Sequence, residues 1–348
     1  MRVLVTGHAG YIGSVLIPLL TEHGHVVQGM DIGLFDGCDL GTPPSPIASA
    51  STDIRDVQPA DLTGIEAIVH LAGICNDPLG ELNPAITEAV NAAATKRLAL
   101  AAEAAGVQRI IFSSTCSVYG FADPSVPVDE SSDCRPLTAY ARTKLQAEES
   151  VLRLESPTFT PVVLRSGSLF GASPRMRTDL VVNGLTAAAW ATGRLELETD
   201  GTPWRPLVDI RDVAATMAHM LVAPEERVSG QIFNVGSDAM NVQVADIAHT
   251  VAEVLPGTAV RLASGAGPDE RSYRASFGKL AKAFPLLAFH ADLAQGIRDL
   301  VAAFTNAPLS TGDLERGRFA RLAVIKERLS AGEIDESLRS IVPGVVPA

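Results

Sequence analysis

Cysteine is scarce in this chain. Cys38, Cys75, Cys116 and Cys134 are the only four in 348 residues, without CxxC spacing or paired histidines. That argues against a metal site and against a disulfide framework, and it points to a reducing compartment. No apolar run approaches the ~20 residues of a membrane span, and the N-terminal stretch lacks a signal-peptide pattern. A cytoplasmic protein with no membrane partner is expected. Lysine and arginine number 28 against 40 acidic residues, a net charge of −12, and no long basic run occurs. Nucleic acid and anionic membranes are therefore excluded as partners, and an anionic ligand would have to be met by individually placed arginines. Internal repeats and low-complexity linkers are also missing. What is abundant is apolar residue, 47% of the chain, enough for one large core or two unequal lobes.

The informative stretch is Val3-Leu4-Val5-Thr6-Gly7-His8-Ala9-Gly10-Tyr11-Ile12-Gly13. The apolar run reads as a buried parallel strand, and Val15, Leu16, Leu19 and Leu20 continue as a helical pattern. Between them Gly7 permits a tight turn, Gly10 lets backbone approach a pyrophosphate, and Gly13 allows close helix–strand packing. Tyr11 and Ile12 sit in the same turn, whose helix N-terminus favours an anion. A second apolar run from His25 to Met30 ends in Asp31, about 20 residues on, where a ribose-binding carboxylate belongs. Such a carboxylate repels a 2′-phosphate, so NAD is the expected cofactor rather than NADP.

Strand and helix patterns alternate onward, which predicts an α/β chain: a Rossmann-type doubly wound parallel sheet with a smaller C-terminal substrate-binding lobe. Ala67 to Gly73 reads as a strand running into a small-residue turn, and Glu88 to Ala105 as one helix stopped at Gly106. Arg109 to Phe112 is a strand ending in the hydroxyl cluster Ser113-Ser114-Thr115-Cys116-Ser117, and Tyr140 to about Leu154 a long helix. The expected division is a dinucleotide-binding domain over 1–170 with a returning segment near 205–236, a substrate lobe over 171–204 and 237–305, and a helical tail over 306–348. In the tail, Phe319, Leu322, Ile325 and Leu329 mark one face of an amphipathic helix starting from Ser310 and closed by Gly332.

Tyr140 and Lys144 lie one helical turn apart on one face. A lysine there can lower the phenol's pKa, so that it exchanges protons with an alcohol near neutral pH.

With these segments the chain resembles the extended short-chain dehydrogenase/reductases, the NAD-dependent epimerase/dehydratase family acting on nucleotide-linked sugars. The likeness rests on the Thr6–Gly13 turn, Asp53-Ile54-Arg55-Asp56, His70-Leu71-Ala72-Gly73, Ser113 to Gly120, and Tyr140 with Lys144. It covers roughly the first 240 residues well and the rest loosely. The resemblance implies that Asp53 and Ile54 contact adenine, and that Leu71 and Ala72 line the cofactor. It makes Tyr140 the acid/base and Lys144 a donor to the nicotinamide ribose, while Thr115 bonds the reacting sugar oxygen. Ser117 and Ser168 fall among the substrate contacts. Arg205, in Gly201 to Val213, fits the arginine that meets a substrate diphosphate, with Arg175 and Arg177 assisting; Arg271, Tyr273 and Arg274 offer alternative contacts to the nucleotide and sugar. A nucleotide-diphosphate sugar substrate and a homodimer are implied.

Two departures bear on the reaction. The dehydratase branch has an Asp-Glu pair directly after its threonine, where this chain has Cys116 and Ser117, so water elimination lacks its general acid. The 4-epimerase branch has an asparagine at Ser168 and an arginine near Ala266, which leaves base and sugar open. The expected activity is NAD-dependent epimerisation through a transient keto sugar. An NAD(P)H-dependent reductase of an NDP-4-keto-deoxysugar, and a non-catalytic NAD-binding regulator, are the alternatives.

Overall fold

The computed structural model describes residues 1–44, 46–267, 272–307 and 309–341. Its strands in chain order are β1 (Arg2–Thr6), β2 (Val26–Met30), β3 (Ser49–Ala50), β4 (Ala67–His70), β5 (Arg109–Thr115), β6 (Thr160–Ser166), β7 (Ser168–Phe170), β8 (Arg194–Thr199), β9 (Trp204–Asp209), β10 (Gln231–Val235), β11 (Asn241–Gln243) and β12 (Ala259–Gly267). Seven of them form one sheet in the order β10-β6-β5-β4-β1-β2-β3, every neighbouring pair parallel. The chain reverses its winding between β1 and β4. In a doubly wound sheet the ligand crevice opens there, beyond the strands' C-terminal ends.

Both faces of this sheet are covered, which is why its strands are nearly continuous in apolar residues. Val3, Val5, Val69, Ile111, Val162 and Leu164 pack under the helices Gly13–Glu22 and Ile210–Val222. The alternate residues Leu4, Ile68, Ile110, Phe112 and Val163 pack under Leu98, Ala102, Ala147 and Val151 on the opposite face. Strands β11-β9-β7 and β12-β8 form two small sheets. They share a third apolar cluster with the helices Val181–Thr192, Val244–Val254 and Leu293–Asn306, through residues such as Val182, Ile247 and Ile297. Thus β9 joins a small sheet, while β10 alone returns to the large one.

Two stretches differ from the pattern-based expectation. The helix expected over Glu88–Ala105 begins at Pro84 and is interrupted by a π-turn at Ala89–Ala93, before resuming over Ala94–Ala104. The π-turn places Asn91 so that its Oδ1 accepts from Ile74 N at 2.8 Å while its Nδ2 donates to Ile74 O at 3.0 Å and to Thr143 Oγ1 at 3.3 Å. That side-chain clamp holds the wider turn. The tail is not one helix either. A short helix Thr311–Glu315 ends at Gly317, whose φ is +65°, and Arg321–Ser330 follows, ending before Gly332 at φ +70°. Left-handed glycines terminate both pieces. The longer piece packs Ile325 against Ile74 and Leu79, over the mouth of the crevice.

Candidate active site

A cavity of about 830 Å³ opens at the β1/β4 reversal. Gly7, Gly10, Tyr11, Ile12, Gly13, Asp31, Asp53, Ile54, Leu71 and Ala72 line it, as do Thr115, Ser117, Tyr140, Lys144, Ser168 and Arg205. Arg175 does not. Its Nη1 donates to Phe35 O, its Nη2 to Asp36 Oδ1, and its Nε lies 3.4 Å from Asp39 Oδ1. Arg175 is a buried clamp between two loops, and its neighbour Arg177 is the arginine of this loop that reaches the cavity. Arg271 lies outside the described residues, as does the side chain of Ala266.

The glycine turn is shaped for a dinucleotide. A Cβ on Gly7 would lie 2.6 Å from Ala72 N, and one on Gly13 2.3 Å from His8 O; either would push the turn off the sheet. Among the described residues, the N–H groups of Tyr11 and Ile12 have no protein acceptor, and both residues line the cavity. Donors of that kind at the start of a helix suit a pyrophosphate. Asp31 is engaged twice, accepting from Ala9 N at 3.1 Å and from Gly33 N at 2.9 Å. It therefore fixes the glycine turn as well as presenting a carboxylate with further lone pairs to the cavity. Asp53 is bound by Arg55 through its Nε, Nη2 and backbone N.

The hydroxyl group and the helix meet next to this turn. Thr138 caps the helix Ala139–Leu152, accepting from Ala141 N at 3.1 Å. Its own hydroxyl donates to Asp77 Oδ1 at 2.6 Å, while Ala139 N donates to Glu81 Oε1 at 2.6 Å. The first turn, and Tyr140 with it, is thereby fastened to the loop after β4. Burial pushes the Tyr140 phenol well above its ordinary pKa, Cys75 and Asp77 add to this, and Arg177 and the Thr115 hydroxyl oppose it. Lys144 donates to Ser113 O at 2.8 Å and lies 4.7 Å from the Phe112 ring centroid. Burial pulls its ammonium down to about 8. The lysine is thus anchored to the strand end rather than to the phenol it was expected to tune.

Behind the site lies a buried network that pattern reading missed. Glu148, one turn beyond Lys144, takes Arg165 Nη2 at 2.6 Å and the Ser114 hydroxyl. Arg165 Nη1 also donates to Tyr119 Oη at 3.2 Å, and Tyr119 in turn to Asn234 Oδ1 at 2.7 Å. His70, held between Thr6 and Thr95, is kept neutral by burial, which lowers its pKa to about 3. Cys116 points into this interior, its Sγ 3.2 Å from Arg165 O, with its pKa pushed far up by burial. It offers the cavity no acid. Buried Tyr273 stands beside Ser117 and Arg205 at the cavity wall. No cluster of metal-ligating side chains occurs among the described residues, and no described helix is long and apolar enough to cross a membrane.

Residues 3–236 match the model of the NAD dependent epimerase/dehydratase family. The chain belongs to that family. It is an NAD-dependent enzyme of the nucleotide-sugar epimerase and oxidoreductase type, and its cofactor is NAD. A UDP-glucose 4-epimerase of Corynebacterium glutamicum is 32% identical over 290 residues, 74% of this chain and 84% of that protein. A dTDP-6-deoxy-L-talose 4-dehydrogenase of Kitasatospora kifunensis is 30% identical over 247 residues, 68% and 74% of the two chains. The solved structure of MoeE5 with UDP-glucuronic acid and NAD superposes with a TM-score of 0.75 at 27% identity, covering 88% of this chain and 99% of that one. In this epimerase/dehydratase family member the family match ends at Val235-Gly236, where β10 closes the large sheet.

Proposed function

We propose that this enzyme epimerises a nucleotide-diphosphate sugar through a transient keto intermediate. The observation that carries the reading is the convergence of Thr115, Tyr140 and Lys144 on the cavity wall next to the glycine turn. A proton relay there has no use in a protein that only senses a dinucleotide. NAD held at the glycine turn and Asp31 would supply a reversible hydride acceptor for the reacting carbon. Tyr140, as the phenolate, takes the proton of the sugar hydroxyl and as the phenol later gives it back. Thr115 orients the sugar oxygen, and Lys144, braced on Ser113 O, donates to the nicotinamide ribose. Arg205 binds the substrate diphosphate, for which a planar guanidinium is suited, while Ser117 and Ser168 contact the sugar. The interior position of Cys116 counts against a dehydratase.

The dehydrogenase relative keeps a reductase reading in view, and redox stoichiometry separates the two. An epimerase returns its hydride, so turnover proceeds without added NADH and no net signal accumulates at 340 nm, while mass spectrometry and chromatography of a panel of UDP-, GDP-, CDP- and dTDP-sugars detect an epimer. Stoichiometric NADH oxidation with a keto sugar, and no epimer from any hydroxylated sugar, decides for the reductase.

A further inference from the structure

Arg321 opens the second helix of the tail and is 1% exposed. Its Nη2 donates to Arg175 O at 3.2 Å, and its guanidinium lies 4.3 Å from the Phe35 ring centroid. Its Nη1 is buried with no hydrogen-bond partner, and the residue lines the dinucleotide cavity. Asp179 attracts this charge but makes no hydrogen bond with it, its oxygens being bound by Arg177 Nε and Nη2 and by Asn76 Nδ2. Arg177 is itself a like charge that, with burial, disfavours a second guanidinium here. Arginine does not give up its proton in proteins, and a buried guanidinium with a free donor is strongly unfavourable unless an anion meets it.

The hydrogen bonds indicate which anion. Tyr11 O accepts from Ser173 Oγ at 2.8 Å, Ser173 Oγ accepts from Arg175 N at 3.2 Å, and Arg175 O accepts from Arg321. One loop therefore links Arg321 to the glycine turn, whose Tyr11 and Ile12 offer their N–H groups to the same cavity. Phe35, beneath the guanidinium, is four positions beyond Asp31. The arginine expected for the substrate diphosphate, Arg205, belongs to a separate group with Ser117 and Tyr273. The tail is also bound to the loops that rim the dinucleotide side. Arg328 donates to Gly33 O and Asp36 O, Arg318 to Gly37 O and Asp39 O, and Arg55 to Ser337 O.

We propose that Arg321 binds the pyrophosphate of the dinucleotide, so that the C-terminal segment supplies a charged wall of the cofactor site. This rests on the dinucleotide reading of the cavity, which NAD binding by the wild-type protein tests separately. Arg321 Nη1, which has no protein partner, can donate a charge-assisted hydrogen bond to a phosphate oxygen.

The test compares ADP-ribose, which has the diphosphate, with adenosine, which lacks it, by calorimetric titration. Arg321→Met keeps the apolar stem and removes the charge. It is expected to weaken ADP-ribose binding roughly tenfold to hundredfold and to leave adenosine binding unchanged, with Arg321→Lys falling between. Undiminished ADP-ribose affinity in Arg321→Met, or an equal loss for adenosine, overturns the proposal. In the wild-type protein, ADP-ribose is expected to slow proteolysis within 311–341 more than adenosine at equal saturation; equal protection also overturns it.

Discussion

Arg165 and Glu148 form an ion pair at 2.6 Å behind the strand that carries Thr115, with both side chains at most 4% exposed. Glu148 receives the Arg165 fork and the Ser114 hydroxyl together. The pair thus ties the helix of Tyr140 and Lys144 to β5 and β6. Removing one partner strands the other charge in the interior. Glu148→Ala is expected to lower unfolding free energy by about 3–5 kcal/mol, measured by urea titration. A loss below about 1 kcal/mol would remove the pair from the list of structural supports.

Tyr140→Phe keeps the ring and removes the exchangeable proton. Turnover should fall by roughly 10²–10⁴-fold, while the melting temperature and NAD affinity stay near wild type. Undiminished turnover would take Tyr140 out of the acid/base role.

Lys144 carries a cost of its own. Burial lowers its pKa from 10.5 to about 8, so below pH 8 the folded protein holds a charge that is better solvated in the unfolded chain. Between pH 8 and 10.5 the unfolded state binds the extra proton, and stability attributable to this group rises with pH. The stability of wild type relative to Lys144→Met should therefore rise by roughly 3 kcal/mol between pH 8 and 10.5, and the mutant should be nearly inactive. Denaturant titrations across this range check it; a gap independent of pH would contradict the assignment.

Asp31→Ala removes a hydrogen-bonded carboxylate from the ribose end of the cavity. NAD binding should weaken by ~1.5–3 kcal/mol and the preference over NADP should narrow. Equal affinity of the wild type for NAD and NADP, by direct titration, would show that Asp31 does not select the cofactor.

Arg205 and Arg175 make a contrasting pair. Arg205→Ala should raise KM for the nucleotide sugar with NAD affinity nearly unchanged. Arg175→Ala, which unties Phe35, Asp36 and Asp39, should lower the melting temperature and leave KM for the nucleotide sugar alone. The reverse pattern would exchange their roles.

The parallel sheet and the glycine turn were legible because both are local. Val3, Leu4 and Val5 alternate between two covered faces, and Gly7 to Gly13 with Asp31 lies within one strand–helix–strand unit. Tyr140 and Lys144 were legible for the same reason, one turn apart. Local spacing could not separate Arg175 from Arg177, since it does not say which of two alternating side chains meets Asp36 and Asp39. Nor could it place the tail: Arg55 finds Ser337 at a separation of 282 positions, and nothing in the amphipathic pattern around Ile325 names the surface it covers. The π-turn was hidden because Ala, Val and Asn at 89–93 suit either winding, and only the distant Ile74 and Thr143 decide.

That wider turn makes the region sensitive to the number of residues rather than to their kind. A π-turn holds one residue more than the α-turn it replaces, so deleting one alanine from Ala92–Ala94 would let the ladder close in ordinary α-helical register. A π-turn takes up one extra residue over nearly the same rotation, so the segments on either side would keep their faces. With the wider turn gone, the Asn91 side chain would lose its fit to Ile74 and Thr143, and the loop that carries Gly73 and Cys75 would lose its brace to the helix of Lys144. A one-residue gap at this point in a related sequence would mark a chain that fastens its catalytic helix by other means.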